Sequence, residues 1–288
     1  MSLPARDTVV TYPDGDLAST GTVLHVQPLG DGRTAVILDR TAFHPVDPVW
    51  PDQPADTGVL VVDGRRVPVI DAVVGATDGA TLHVGDAPVR TGTPGWAFVV
   101  CHLVEDAAGI EPGATVGVEV DPELRRALST GHTACHLASL ALDDALAALW
   151  TKEVPLDGRG KSAFDQLAIA SSRIFPDGSV DEYRIGKSLR KKGFAAAELP
   201  VALAGVTDAA DALLAEWVSA DVAIAIERDS DGLGERRRWR ADLPDGTVEI
   251  PCGGTHLRSL AGVEAIRVDL AYDVDAASLT MRTTVERA

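Results

Sequence analysis

Residues 122–150 read PELRRALSTGHTACHLASLALDDALAALW, and this stretch decides how the rest of the chain is parsed. Leu124, Leu128, Leu137, Leu140, Leu142, Leu146 and Leu149 return through it, with Ala and Leu filling most positions between them. Both residue types favour a helix, and Pro122 suits the first helical position, where its missing N–H costs nothing. The pattern predicts one long helix or two short ones. The texture changes at Asp121, which sets the expected domain boundary: residues 1–120 and residues 121–288.

Before that boundary the chain reads as nearly all β. Short runs rich in Val, Ile, Leu and Thr (TVVTY, GTVLHV, TAVILD, TGVLVVD, RVPVIDAVV, TLHV, WAFVVCHLV, TVGVEV) are separated by turn signals such as PDGD, GDGR, VDGR and TDGA. Seven or eight strands at this spacing predict a small barrel or closed sandwich. After the helical stretch, residues 151–193 are richer in Gly, Ser, Lys and Arg and read as loops with a strand near DEYRI. A further helix is expected at DAADALLAEWVSA, where Leu213, Leu214 and Trp217 share a face. Strands follow at DVAIAIE, RRWRADL, TVEI, EAIRVDLAY and SLTMRTTV. Strands and helices in this unrepeated order indicate an α+β fold.

Composition narrows the function classes. The 288 residues are 45% apolar and 24% charged, a globular balance rather than a disordered one. No apolar run approaches the roughly 18 residues of a membrane span, and MSLPARDTVVTYPDGD has neither the basic head nor the apolar stretch of a signal peptide. Three cysteines at unrelated spacings predict no disulfide framework, and a cytoplasmic protein is expected. The net charge of −17 opposes nonspecific binding to nucleic acid, which rests on phosphate neutralisation; neither DNA nor a membrane is an expected partner. The charge is uneven, however. Residues 1–120 hold 6 arginines against 16 acidic residues, every lysine lies between Lys152 and Lys192, and Arg236, Arg237, Arg238 and Arg240 cluster later. An acidic chain with two basic segments can still present one face to RNA.

Two spacings carry chemistry. His132 and His136 stand one helical turn apart, which puts both imidazoles on one face, in reach of one metal ion. Such a pair equally serves as two buried rings bonded to backbone. Far downstream, PCGGTHLRSL sets Cys252 and His256 at the same separation, with Gly253 and Gly254 predicting a tight turn. A lone cysteine is often just a small buried apolar residue. Thiolate and imidazole together are donors that favour zinc over magnesium or calcium. The two pairs together are far more specific than either alone. His25, His44, His83 and His102 lack paired spacing and read as surface or core residues, Cys101 as a buried strand residue, and Cys135 as pointing off the His132–His136 face. No Walker, dinucleotide or GxSxG fingerprint occurs.

With GHTACHLASLAL and PCGGTHLRSL in view, the chain resembles the editing domain of alanyl-tRNA synthetase and its free-standing relatives, the alanyl-tRNA editing hydrolases. LDRTAFHP…DQPADTGVL is similar to the family segment in which Thr-x-Phe-Tyr-Pro precedes Gly-Gly-Gln-Pro-x-Asp-x-Gly, and VDPELRRALSTGHTACH matches its Val-Asp, paired arginines and helix in order. The likeness spans roughly residues 34–270 and is thin between 151 and 235. It implies a β-barrel-like domain over residues 1–120. An α+β editing-type domain over residues 121–288 follows, its mainly antiparallel sheet packed by helices.

The resemblance further implies one zinc ion on His132, His136, Cys252 and His256, with Thr133 and Gln53 as site residues beside it, Thr133 lining an amino-acid pocket. The implied activity is hydrolysis of Ser- or Gly-tRNA for alanine, by attack of metal-activated water on the ester at the aminoacylated 3′ end of the tRNA. Backbone amides of residues 253–255 are candidate oxyanion donors. One departure stands out. The family's glycine-rich loop before the glutamine is replaced by HPVDPVWPDQ, longer and without glycine, ahead of Gln53. Two alternatives stay open: a hydrolase of another aminoacyl or small ester, and a non-catalytic tRNA- or protein-binding module whose four-ligand zinc only supports the fold.

Overall fold

The computed structural model describes residues 3–288. The chain divides into two compact units. Unit 1 comprises Met1–Arg126, Ile226–Arg238 and Gly253–Thr255; unit 2 comprises Ala127–Ala225, Trp239–Cys252 and His256–Ala288.

Unit 1 is built from β1 (Val9–Val10), β2 (Ala18–Pro28), β3 (Thr34–Leu38), β4 (Arg40–Thr41), β5 (Gly58–Val62), β6 (Arg65–Val69), β7 (Asp71–Thr77), β8 (Leu82–Val84), β9 (Ala97–Val104) and β10 (Thr115–Val120). Eight of these form one sheet in the order β6-β5-β10-β2-β3-β9-β7-β8, every pair antiparallel, while β1 and β4 pair in parallel. The apolar run of β3 is continuous because both its faces are covered. Val36 and Leu38 join a core with Val10, Phe43, Leu60 and Val100, while Ala35 and Ile37 join a second core with Val99, Cys101 and Leu103. The VDGR signal is the β5–β6 hairpin turn, with Asp63 at φ 49° and Gly64 at φ 80°. Two successive positive φ values are what a two-residue turn matching the sheet twist requires.

Among the described residues the expected barrel does not close: β6 and β8 are the edges of the sheet. RVPVIDAVV is also two strands rather than one, broken at Ile70. The residues of β6 explain its edge position. Arg65, Arg66 and Pro68 are exposed, and Pro68 has no N–H to offer a further strand.

The long helix α1 (Pro122–Ala145) is a single element, followed by a 3-10 turn at Ala147–Leu149. Asp121 caps it, its carboxylate accepting the amides of Glu123 at 3.0 Å and Leu124 at 3.2 Å. After α1 come α2 (Phe164–Ala168), β11 (Ile169–Phe175), β12 (Gly178–Arg184), α3 (Lys187–Lys191), α4 (Leu199–Ser219), β13 (Ile224–Arg228), β14 (Arg237–Leu243), β15 (Gly246–Pro251), β16 (Val263–Asp273) and β17 (Ser278–Arg287). An antiparallel sheet runs β11-β12-β17-β16, and a three-stranded sheet runs β13-β14-β15. Helix α4 packs on β16, burying Val206, Ala210, Leu214 and Trp217 along one stripe. The fold is thus α+β with mainly antiparallel sheets packed by helices. No helix among the described residues is long and apolar enough to cross a membrane.

Helix α1 lies tight against the β11–β12 hairpin. A Cβ at Gly131 would sit 2.5 Å from the Gly178 carbonyl oxygen and 2.6 Å from that of Phe175. Both are backbone atoms and cannot rotate away. Gly131→Ala is therefore expected to destabilise the protein by about 1–3 kcal/mol in denaturant unfolding, despite the better helix propensity of alanine. Unchanged or higher stability would show that the hairpin yields.

Further along α1, Asp143 is buried and accepts the backbone amide of Asp165 at 2.7 Å. Burial pushes the Asp143 carboxyl up to about 8 and that of Asp165 up to about 6. A folded-state pKa above the unfolded value gives stability that is complete at acid pH and is lost as pH rises through the folded value. The buried neutral histidines His44 and His102, pushed down to about 4, act oppositely, but only below the ordinary histidine range. Between pH 6.5 and 8 thermal stability is therefore expected to fall, Asp143 contributing at most about 1.4 kcal/mol per pH unit. Asp143→Asn cannot ionise and should flatten that slope; an unchanged slope in melting temperature against pH would contradict the assignment.

Candidate metal centre

Four donors converge within unit 2. His132 and His136 project from one face of α1, and Cys252 and His256 come from the segment after β15. Their ligand atoms all lie within 4.8 Å of one another, an arrangement that can hold a metal ion. The Cys252 Sγ is 3.5 Å from His132 Nε2 and 3.3 Å from His256 Nε2. A tetrahedral zinc with its usual bond lengths sets sulfur and nitrogen roughly 3.6 Å apart. The distances and the thiolate–imidazole chemistry both fit such an ion. The imidazoles of His132 and His256 are 4.2 Å apart centre to centre, and His136 is 4.9 Å from the first and 5.0 Å from the second. Burial pushes the His136 imidazole down to about 4, so near neutral pH its ring is uncharged and keeps a lone pair to give.

The surrounding bonds explain how these side chains are held. Thr133 Oγ1 accepts the Leu257 amide at 3.0 Å and lies 3.3 Å from His256 Nδ1. That leaves His256 Nε2 on the Cys252 side, and it ties α1 to the residue after His256. Gln53, 1% exposed, makes a two-point clasp inside unit 1: its amide donates to the Thr255 hydroxyl at 2.8 Å and its carbonyl accepts the Thr255 amide at 3.0 Å. Thr255 directly precedes His256 in the chain. The Thr255 amide is therefore engaged rather than available to an oxyanion. Tyr12 adds a second tether, its hydroxyl donating to the Gly253 carbonyl at 3.1 Å.

The two glycines predicted a tight turn, yet Gly253 is outside the left-handed region and a Cβ there would meet nothing within 4 Å. The segment bends at Gly254 instead. Cys135 points away from the cluster, its thiol 3.4 Å from an Asp181 oxygen and 3.7 Å from the Ser172 hydroxyl. His102 is a core residue bonded to Thr41 and the Val36 carbonyl. The second arginine cluster is largely engaged internally. Arg237 is buried on the carbonyls of Gly232 and Leu233, Arg238 pairs with Glu227, and Arg240 with Asp242. By contrast Arg184, Lys187, Arg190, Lys191 and Lys192, on and around α3, are exposed.

Two features escaped the sequence. Trp239 on β14 lies beside His136, its ring centre 5.0 Å away and its plane tilted by 31°. RRWRADL carries only strand alternation, which shows that Trp239 faces inward but not what it meets. The Tyr12 tether joins residues 241 positions apart, and no local pattern signals it.

No family model matches the chain. Its relatives among curated proteins include an alanine–tRNA ligase of Halobacterium salinarum, 28% identical over 243 residues, covering 83% of this chain and 21% of the ligase. One from a Parafrankia species is 27% identical over 245 residues, covering 83% and 23%. One from Frankia alni is 29% identical over 242 residues, again covering 83% and 23%. The chain spans between a fifth and a quarter of the length of these relatives. With a His/Cys cluster consistent with a metal site, it is distantly related in sequence to one segment of alanine–tRNA ligases.

Proposed function

We propose that this protein binds one zinc ion through His132, His136, Cys252 and His256 and hydrolyses the ester that joins a wrong amino acid, serine or glycine, to tRNA for alanine. The observation that carries this reading is the convergence of those four donors within 4.8 Å, in a chain related to part of the alanine–tRNA ligases. When bound, zinc supplies Lewis acidity, which polarises a carbonyl and brings the pKa of water down to about 7. The protein's part is to hold and orient. Helix α1 fixes two imidazoles in register, Thr133 sets the ring of His256, and Gln53 and Tyr12 anchor the residues between Cys252 and His256. Thr133 and Gln53 thus act as positioning residues, since the hydroxyl oxygen and the amide are both engaged in holding this segment.

A second reading rests on the same four donors. They complete a tetrahedron, the usual signature of a zinc that supports a fold, whereas catalytic zinc keeps a position open. The deciding experiment incubates zinc-loaded protein with mischarged Ser-tRNA for alanine. Release of serine well above the buffer rate, abolished by a chelator, is expected; release at the buffer rate with zinc bound would favour the structural module.

For tRNA, the exposed basic run around α3 offers the phosphate contacts that an acidic chain otherwise lacks. Replacing Lys191 and Lys192 by alanine is expected to raise the apparent KM for charged tRNA and to make its salt dependence shallower by about two logarithmic units per decade. Hydrolysis of a small aminoacyl-nucleoside ester should be untouched. Equal losses on both substrates would show instead that this segment supports the fold.

A further inference from the structure

A histidine that holds a metal through one nitrogen ordinarily gives its other N–H to a carboxylate, carbonyl or water, which fixes the ring. His256 has such a partner in Thr133, 3.3 Å from its Nδ1. His136 is different. Among the described residues neither of its ring nitrogens has a hydrogen-bond partner, and what lies beside the ring is the indole of Trp239, centre to centre 5.0 Å at 31°. Trp239 also reaches His256, at 6.1 Å and 49°.

Trp239 is fully buried, and among the described residues its Nε1 has no acceptor. A buried indole normally finds one, and a phenyl or aliphatic side chain would fill the slot without leaving a donor unmatched. Hydrogen bonding therefore does not account for a tryptophan here. Its flat, electron-rich face does. The indole offers no lone pair to a metal, but it attracts positive charge over its ring more strongly than phenylalanine does. An imidazole that coordinates a divalent cation shares the positive charge of that cation. The contact with His136 is consequently stronger with the metal bound than without it, and an interaction that strengthens on binding raises affinity.

We propose that Trp239 is a positioning residue of the metal centre: its indole face orients His136 and stabilises the charge this imidazole takes up when a divalent metal binds. The inference rests on the reading that the four donors hold a metal.

The test uses cobalt(II), whose visible bands report tetrahedral geometry, with affinity measured by chelator competition. The proteins are wild type, W239F and W239L, each checked for folding in the metal-free state by far-UV spectrum and melting temperature. W239F keeps a ring and should bind cobalt within about threefold of wild type, with unshifted bands. W239L removes the ring and should bind on the order of tenfold more weakly, with shifted bands. If W239L does not fold, W239M, unbranched and of similar reach, takes its place. A readout on the wild-type protein needs no variant to fold well: the indole N–H resonance of Trp239, identified by its absence in W239F, should move on adding one equivalent of zinc. Wild-type affinity and bands in W239L, equal losses in W239F and W239L, or an unmoved indole resonance would each overturn the proposal. Failure of the wild-type protein to bind cobalt or zinc would instead overturn the metal centre itself.

Discussion

Replacing Cys252 by alanine is expected to remove zinc and to bring serine release down to the buffer rate, while the far-UV spectrum stays close to wild type. The sulfur lies 3.5 Å from His132 Nε2 and 3.3 Å from His256 Nε2, so its loss leaves three imidazoles and no anionic donor. Removing a ligand should cost more than the roughly 10–100-fold in metal affinity lost when only a ligand's supporting hydrogen bond is deleted. The fold should survive because the cores of unit 1 and the packing of α4 on β16 do not involve Cys252. His132→Ala should behave alike. Global unfolding of either variant on metal loss would mark the zinc as a support of the fold.

The largest stability effect is expected at Arg125. Its guanidinium is buried in unit 1, with Nε donating to an Asp56 oxygen at 2.8 Å and Nη2 to the other. Nη2 also donates to the Ala42 carbonyl at 2.7 Å and Nη1 to the Asp16 carbonyl at 3.1 Å, while Asp56 accepts the His44 amide at 2.6 Å. Arg125→Met would strand a fully buried carboxylate. The expected cost is about 3–5 kcal/mol, a fall in melting temperature on the order of 10 °C. Arg125→Lys keeps the charge but not the fork, and should recover only part. Combining Arg125→Met with Asp56→Ala removes the stranded charge and should be less damaging than Arg125→Met alone. A double variant as unstable as the sum of the singles would contradict this account of the pair.

These two sites also show what a sequence can and cannot reveal. Periodicity and Pro122 make the helical character and start of α1 legible, but they leave one helix or two open; its single run of 24 residues and the Asp121 cap show only in the structure. The His132–His136 register follows from the helix alone. The strands of unit 1 were legible from their turns, but not that their sheet stays open. Closure depends on which strands become edges, and Pro68 reveals its meaning only once β6 is known to lack an outer neighbour. The strand at IASSRIF lies in a stretch whose composition predicts loop. Its serines and arginine hide a hairpin partner for β12, and the pairing is set by the long-range sheet order rather than by propensity. Gln53 stands out in the sequence only through the family likeness; its clasp on Thr255 spans 202 positions and has no local signature. Arg125 and Asp56 stood in recognisable motifs, yet nothing in either segment says that they meet.

The central claim is that His132, His136, Cys252 and His256 form one metal centre, and metal content measures it most directly. Protein purified without added metal and dialysed against a weak chelator, then analysed by elemental emission, should carry close to one zinc per chain in the wild type and close to none in His136→Ala. Stoichiometric zinc in the His136→Ala protein, or none in the wild type after zinc is supplied, would contradict it.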